Sequence, residues 1–235
     1  MNKLIAELIG TFCLVFAGTG AIIINDVSHG ALTHVGIAIT FGLVVMCMIY
    51  AVGDVSGAHL NPAVTIAFWL SRRFPARDVG RYIAAQCIGA IVASIVLRGL
   101  FPSHETLGAT IPSGLGVAGE LVGLFRGEFG AVAQSFVLEL ILTFMLMYTI
   151  LSVALGPKEK GIVAAVAVGG VIGLEAMFAG PISGASMNPA RSLAPAIISG
   201  HVTDMWVYLL APTLGAMLAV PLWKMTHRAA HASTS

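Results

Sequence analysis

Two phrases of this sequence occur twice, in the same order. Glu7-Leu8-Ile9-Gly10-Thr11-Phe12 returns as Glu139-Leu140-Ile141-Leu142-Thr143-Phe144, and Ser56-Gly57-Ala58-His59-Leu60-Asn61-Pro62-Ala63 returns as Ser183-Gly184-Ala185-Ser186-Met187-Asn188-Pro189-Ala190. Such an internal repeat means that two copies of one structural unit build the fold. Six apolar stretches surround the repeated phrases, near Leu4 to Ile24, His34 to Val52, Asp78 to Leu97, Ala131 to Leu155, Gly161 to Ala179 and Met205 to Trp223. Each is long enough to cross a hydrocarbon core of about 30 Å as a helix of roughly 20 residues. Three spans separate equivalent points of the two copies. Three is odd, so the second copy enters the membrane from the opposite side and the repeat is inverted. The first span carries Glu7 and shows no small-residue cleavage site before Asn25, so it reads as a span and not as a cleaved signal.

Composition agrees with a membrane interior: 57% of residues are hydrophobic and 10% charged, against roughly 25% charged in a soluble domain. A net charge of +1 gives no footprint for nucleic acid. Lys3, Arg72, Arg73, Arg77, Arg81, Lys158, Lys160, Lys224 and Arg228 share one side once six spans are threaded, Arg98 and Arg126 take the other, and Arg191 belongs to neither. The positive-inside rule then places both termini in the cytoplasm of a multi-pass cell-membrane protein. Cys13, Cys47 and Cys87 fall inside spans, at spacings that suggest neither disulfides nor a metal site, and nothing implies a cofactor. The chain reads as one domain, 1–235, with repeats at about 1–100 and 130–225. An outer connection rich in Gly, Pro and Ser spans 98–130, and a short polar tail, 226–235, is expected to be disordered.

Each Ser-Gly-Ala is followed by an apolar stretch too short to span, Asn61 to Leu70 and Asn188 to Ile198. At 1.5 Å per residue each covers roughly 15 Å, half the hydrocarbon thickness. Asn before Pro is a helix start, because Asn caps free amides and Pro at the first position has none to lose. Inverted symmetry brings the two starts together near the midplane, each with a positive dipole end and a side-chain NH2 donor. The preceding non-helical backbone is tolerated at that depth only where it lines a wet cavity. Carbonyls of Gly57, Ala58, His59, Gly184 and Ser186 are expected to form the acceptor side of that cavity. A small hydroxylated molecule fits between such acceptors and donors, whereas a cation faces two positive dipole ends.

The paired Asn-Pro-Ala boxes (Asn61, Pro62, Ala63 and Asn188, Pro189, Ala190), with Glu7 and Glu139 in the first and fourth spans, resemble the major intrinsic proteins, the aquaporin and glycerol-channel family. The resemblance implies an all-α membrane protein: a right-handed bundle of six transmembrane helices and two re-entrant half-helices, assembled as a homotetramer with one pore per subunit. It also implies a passive channel for small neutral solutes, not an enzyme, with a filter at Phe41, Ala176, Ala185 and Arg191. Members of this family exclude protons by an Arg and by half-helix dipoles.

Alanines at 176 and 185 depart from water-selective members, which carry His and usually Thr or Cys at those positions. A wider, less polar filter is implied. The run Gly180 to Leu193, together with Tyr208-Leu209, is similar to nodulin-26-like proteins and their bacterial relatives. These pass water, glycerol and undissociated metalloid acids such as boric or arsenous acid, although Phe41 does not match the Trp frequent among them. A strictly water-selective channel is the alternative reading. A secondary transporter fits less well, because the centre offers no titratable group beside its asparagines, and a purely structural junction protein is the remaining option. The resemblance gives Glu7 and Glu139 a structural role, holding the re-entrant loops. Of His59 the carbonyl is expected to matter more than the ring. Glu175 is expected to face the outer vestibule or a neighbouring subunit.

Overall fold

The computed structural model describes residues 1–114, 127–155 and 162–232. Arg126, Lys158 and Lys160, part of the charge asymmetry, lie outside the described residues, as does the outer connection from 115 to 126. Eight helices follow one another among the described residues: α1 (Asn2–Val27), α2 (Thr33–Ser56), α3 (Pro62–Leu70), α4 (Ala76–Leu100), α5 (Gly127–Leu155), α6 (Ile162–Ser183), α7 (Pro189–Ser199) and α8 (Met205–Ala232). Six are long and apolar enough to cross a membrane. The two short ones, of 9 and 11 residues, start where Asn-Pro demands it. Asn61 and Asn188 are extended, with φ of −157° and −150°, and their side-chain oxygens accept the amides of Ala63 and of Ala190 and Arg191. Pro62 and Pro189 occupy the first helical position, where no amide is required. Gly57 ends α2 and Gly200 ends α7, both left-handed.

Packing follows the repeat. Helix α1 lies on α4 and α5 on α8, while α2 meets its own counterpart, α6. The half-helices cross over, α3 packing on α8 and α7 on α4, so each half holds the other's re-entrant segment. Small residues bring the backbones together. A Cβ at Gly89 would collide with the carbonyl oxygen of Leu8, and one at Gly215 with that of Leu140, which is the same crossing in both copies. On the axis between the copies, a Cβ at Gly42 would stand 2.6 Å from the Gly169 oxygen, and the reverse holds for Gly169 and Gly42. Large apolar side chains such as Ile5, Ile9, Leu43, Ile88, Ile95 and Val163 point outward. A belt of that size needs lipid against it.

Composition predicts a disordered tail from residue 226, but α8 continues to Ala232. The Thr226 hydroxyl bonds back to the Leu222 and Trp223 carbonyls, and the His227 ring stacks on Trp223 at 4.6 Å, which gives the polar turn local partners. Residues 233–235 lie outside the described residues.

Gly89→Ala adds one methyl against an immovable backbone and is expected to cost about 3 kcal/mol. Gly80→Ala in the same helix, where a Cβ meets nothing within 4 Å, is expected to gain up to about 1 kcal/mol. Thermal unfolding of both variants in detergent checks this; equal behaviour contradicts the close crossing.

Candidate functional site

Two loops, Gly57–Leu60 and Gly184–Met187, leave helical geometry inside the bundle. Matching residues carry positive φ in each: Gly57, Ala58 and Leu60, and Gly184, Ala185 and Met187. Their stranded amides converge on two carboxylates. Glu7 accepts from the His59 amide and the Ser56 hydroxyl on one oxygen (2.9 and 2.7 Å), and from the Leu60 amide and Gln86 Nε2 on the other (both 2.7 Å). Glu139 accepts from the Ser183 hydroxyl and the amides of Ser186 and Met187, each at 2.8 Å. A buried amide left without such a partner costs about 1–3 kcal/mol.

The same bonds aim the carbonyls. In a planar trans peptide the N–H and the C=O point in opposite directions. Turning the amides of His59 and Leu60 toward Glu7 therefore turns the oxygens of Ala58 and His59 away from it, and Glu139 does the same to Ala185 and Ser186. All four of these residues line one central cavity, with Leu60, Met187, Asn61, Asn188, Arg191 and Phe41. Between them the loops exchange donors: Asn61 Nδ2 donates to the Met187 carbonyl at 2.7 Å, and Asn188 Nδ2 to the Leu60 carbonyl at 2.8 Å. Each amide NH2 has two hydrogens, so one remains on each Asn at the cavity wall.

Arg191 follows from the start of α7 and is 1% exposed. Its Nη1 donates to the Gly108 carbonyl at 2.8 Å, and its Cζ lies 5.0 Å from the centroid of the Phe41 ring, a geometry in which the ring face attracts the cation. Gly18 makes room for that ring, since a Cβ there would run into it. By the repeat offsets the matching positions hold Ile150 and Val168, so bulk and space are exchanged between helices at the two ends of the cavity. The central cavity encloses about 50 Å³. An inner one of about 450 Å³ adjoins it, lined by Tyr50, Asp54, Gly57, Phe68 and Ala154 among others.

Of the expected filter residues, Phe41, Ala185 and Arg191 reach the central cavity. Ala176 is buried in the same apolar cluster, one turn beyond Ile172, which does line it. Gly57 lines the inner cavity, and Gly184 lines neither: Thr110 packs where its side chain would be. The His59 ring is more than an appendage of its carbonyl. It lies 4.7 Å from Phe68, 4.8 Å from Phe74 and 5.2 Å from Tyr82, with Nδ1 3.1 Å from the Thr65 hydroxyl. Glu175 faces neither the vestibule nor a neighbour. It shares a helix face with Ile172 and Val168, three and seven residues away, and is fully buried, with neither oxygen hydrogen-bonded among the described residues.

The sequence shows the outer connection but not its contact with the second loop. Its first part, 101–114, folds back over the second loop: Gly108 holds Arg191, the Thr110 hydroxyl donates to Ser192 at 2.8 Å, and the Ser113 amide donates to the Ile182 carbonyl at 3.0 Å. Ser192 in turn meets the Ser186 hydroxyl. Gln86 was missed as well, although a polar residue mid-span was a readable signal. Among the described residues no group of His, Cys, Asp and Glu is placed to hold a metal ion.

The chain resembles known proteins over nearly its whole length. Residues 1–223 match the family Major intrinsic protein. Aquaporin NIP1-1 of Oryza sativa subsp. japonica is 49% identical over 218 residues, 92% of this chain and 71% of that one. Nodulin-26 of Glycine max is 43% identical over 218 residues, covering 92% and 74%. The X-ray structure of the aquaglyceroporin from Plasmodium falciparum superposes with a TM-score of 0.80 at 25% identity, covering 94% of each chain. A family match that takes in both loops, both Asn-Pro-Ala boxes and both carboxylates shows that this chain belongs to the major intrinsic protein family.

Proposed function

We propose that this channel passes water and small neutral solutes of the size of glycerol, with undissociated metalloid acids in the same class, and that it excludes ions and protons. The observation that carries the reading is the cavity wall: carbonyls of Ala58, His59, Ala185 and Ser186 on the acceptor side, with Asn61, Asn188 and Arg191 as donors. A polyol hydroxyl needs both kinds of partner, while its CH groups need an apolar wall, and Phe41, Val45, Ile172 and Val168 supply one. A cation meets two helix N-termini and a guanidinium. Names of relatives support the reading, two containing the word aquaporin or nodulin and one aquaglyceroporin. Glu7 and Glu139 act as structural carboxylates, and no residue is assigned a catalytic role. The approach of the Arg191 guanidinium to within 5.0 Å of the Phe41 ring centroid favours the second reading, a water-only pore.

The protein is a multi-pass membrane protein. The finer placement, in the cell membrane with both termini cytoplasmic, is supported by Lys3, Arg72, Arg73, Arg77, Arg81 and Lys224 on one side. A homotetramer is supported by the family resemblance.

Stopped-flow light scattering on proteoliposomes separates the readings. Wild type is expected to admit glycerol faster than empty vesicles, and Ala185→Phe to lower glycerol entry by roughly tenfold more than water efflux. Rapid water efflux without glycerol entry establishes the water-only pore, and equal loss of both fluxes in the variant removes Ala185 from the filter. Glu139→Gln puts an NH2 where the Ser186 or Met187 amide needs an acceptor. It is expected to lose both fluxes together with thermal stability; unchanged flux would contradict the loop-holding role.

A further inference from the structure

The outer connection reaches the filter through one turn, and that turn is organised by His104. Arg98 Nη1 donates to the carbonyls of Pro102 and His104 (3.1 and 2.6 Å) and holds the backbone onto the end of α4. The imidazole is 9% exposed and bonded at both nitrogens. Leu107's amide lies 3.1 Å from Nδ1, and Nε2 lies 3.3 Å from Asp26 Oδ2 on α1. A backbone amide can only donate, so Nδ1 is the bare nitrogen and the proton sits on Nε2, facing Asp26.

Three residues after His104 the backbone is strained. Leu107 has a φ of +52° and is fully buried against Ile23 and Leu97. Gly108, with φ +71°, turns the chain so that its carbonyl accepts from Arg191. A side chain at Leu107 in the left-handed region persists only where its surroundings hold it. The bond to Nδ1 is one of those supports, a single residue ahead of the carbonyl that fixes the filter guanidinium.

A second proton on His104 has one place to go, Nδ1. There it replaces the acceptor with a donor, so the Leu107 N–H faces another N–H. The contact with Asp26 survives as an ion pair, and the ring stays anchored to α1 while the turn loses its support. We propose that His104 is a positioning residue of the filter, holding the Gly108 carbonyl against Arg191 while Nδ1 is unprotonated, and that acidification lowers solute flux by releasing that turn. This rests on the filter reading above.

Among the described residues the charged groups around the ring are Asp26 on α1, Arg98 on α4, which touches backbone carbonyls and not the ring, and Glu105 beside it, which lies 4.0 Å from His201 of the α7–α8 connection. His29 and His34 are the other histidines near this end.

The test uses the full chain in proteoliposomes, with both faces buffered alike between about pH 8 and about pH 5, where imidazoles titrate. Water efflux and glycerol entry are read by stopped flow. Wild-type glycerol entry is expected to fall about fivefold on acidification. His104→Asn keeps an oxygen acceptor near the Nδ1 position without titrating, and is expected to conduct at the neutral-pH rate throughout. His104→Leu removes the acceptor and is expected to stay low at every pH. His29→Gln, His34→Gln and His201→Gln are expected to respond as wild type does. A fall in His104→Asn equal to wild type, a response that disappears with another histidine instead, or no wild-type response overturns the proposal. Wild type that admits no glycerol at any pH overturns the filter reading itself, a distinguishable failure.

Discussion

Backbone that abandons the helix inside a bilayer strands its amides, and in this protein two carboxylates gather them. Glu7 and Glu139 sit on α1 and α5 at the same point of the repeat, each bonded to consecutive amides of a re-entrant loop and to the serine that precedes it. In hydrocarbon those amides have no water to fall back on. Everything nearer the cavity depends on where they point: the outward carbonyls, the start of each half-helix, and the meeting of Asn61 with Asn188.

The two halves are copies, but the cavity is made by their differences. Glu7 has a fourth partner in Gln86, which also bonds Thr65, whereas Pro212 occupies the corresponding position of the second half. Phe41 fills space that Gly18 vacates, while Val168 stands opposite Ile150. Only the second half-helix carries an arginine after its box, and among the described residues the Gly108 carbonyl and the Phe41 ring hold its guanidinium. Symmetry builds the frame, and these exchanges accompany a narrow central cavity of about 50 Å³ beside a wider one of about 450 Å³.

Much of this was legible in the sequence, for identifiable reasons. The spans and half-helices are local features of apolar length and of Asn-Pro capping, and Asn61 and Asn188 head their helices as that chemistry requires. Helix ends shifted by a few residues, because fraying and capping there depend on neighbours. The Gly108 carbonyl was not legible, since its bond to Arg191 joins residues 83 apart through a turn with no periodicity. The burial of Glu175 is not legible either, since its position beside Ala176 on the helix does not reveal which neighbour covers that face. The polar end of α8 resembles a tail because composition says nothing of Thr226 bonding back along its own helix.

A continuous path for uncharged solutes, lined by carbonyls and two asparagines, is tested most directly by the temperature dependence of glycerol entry into wild-type proteoliposomes, measured with the ionic conductance of the same preparation in planar bilayers. A hydrogen-bonded path is expected to make glycerol entry faster and less temperature-dependent than in lipid alone, with no current above the bare bilayer. Glycerol entry with the steep temperature dependence of lipid, or entry accompanied by ionic current, would contradict it.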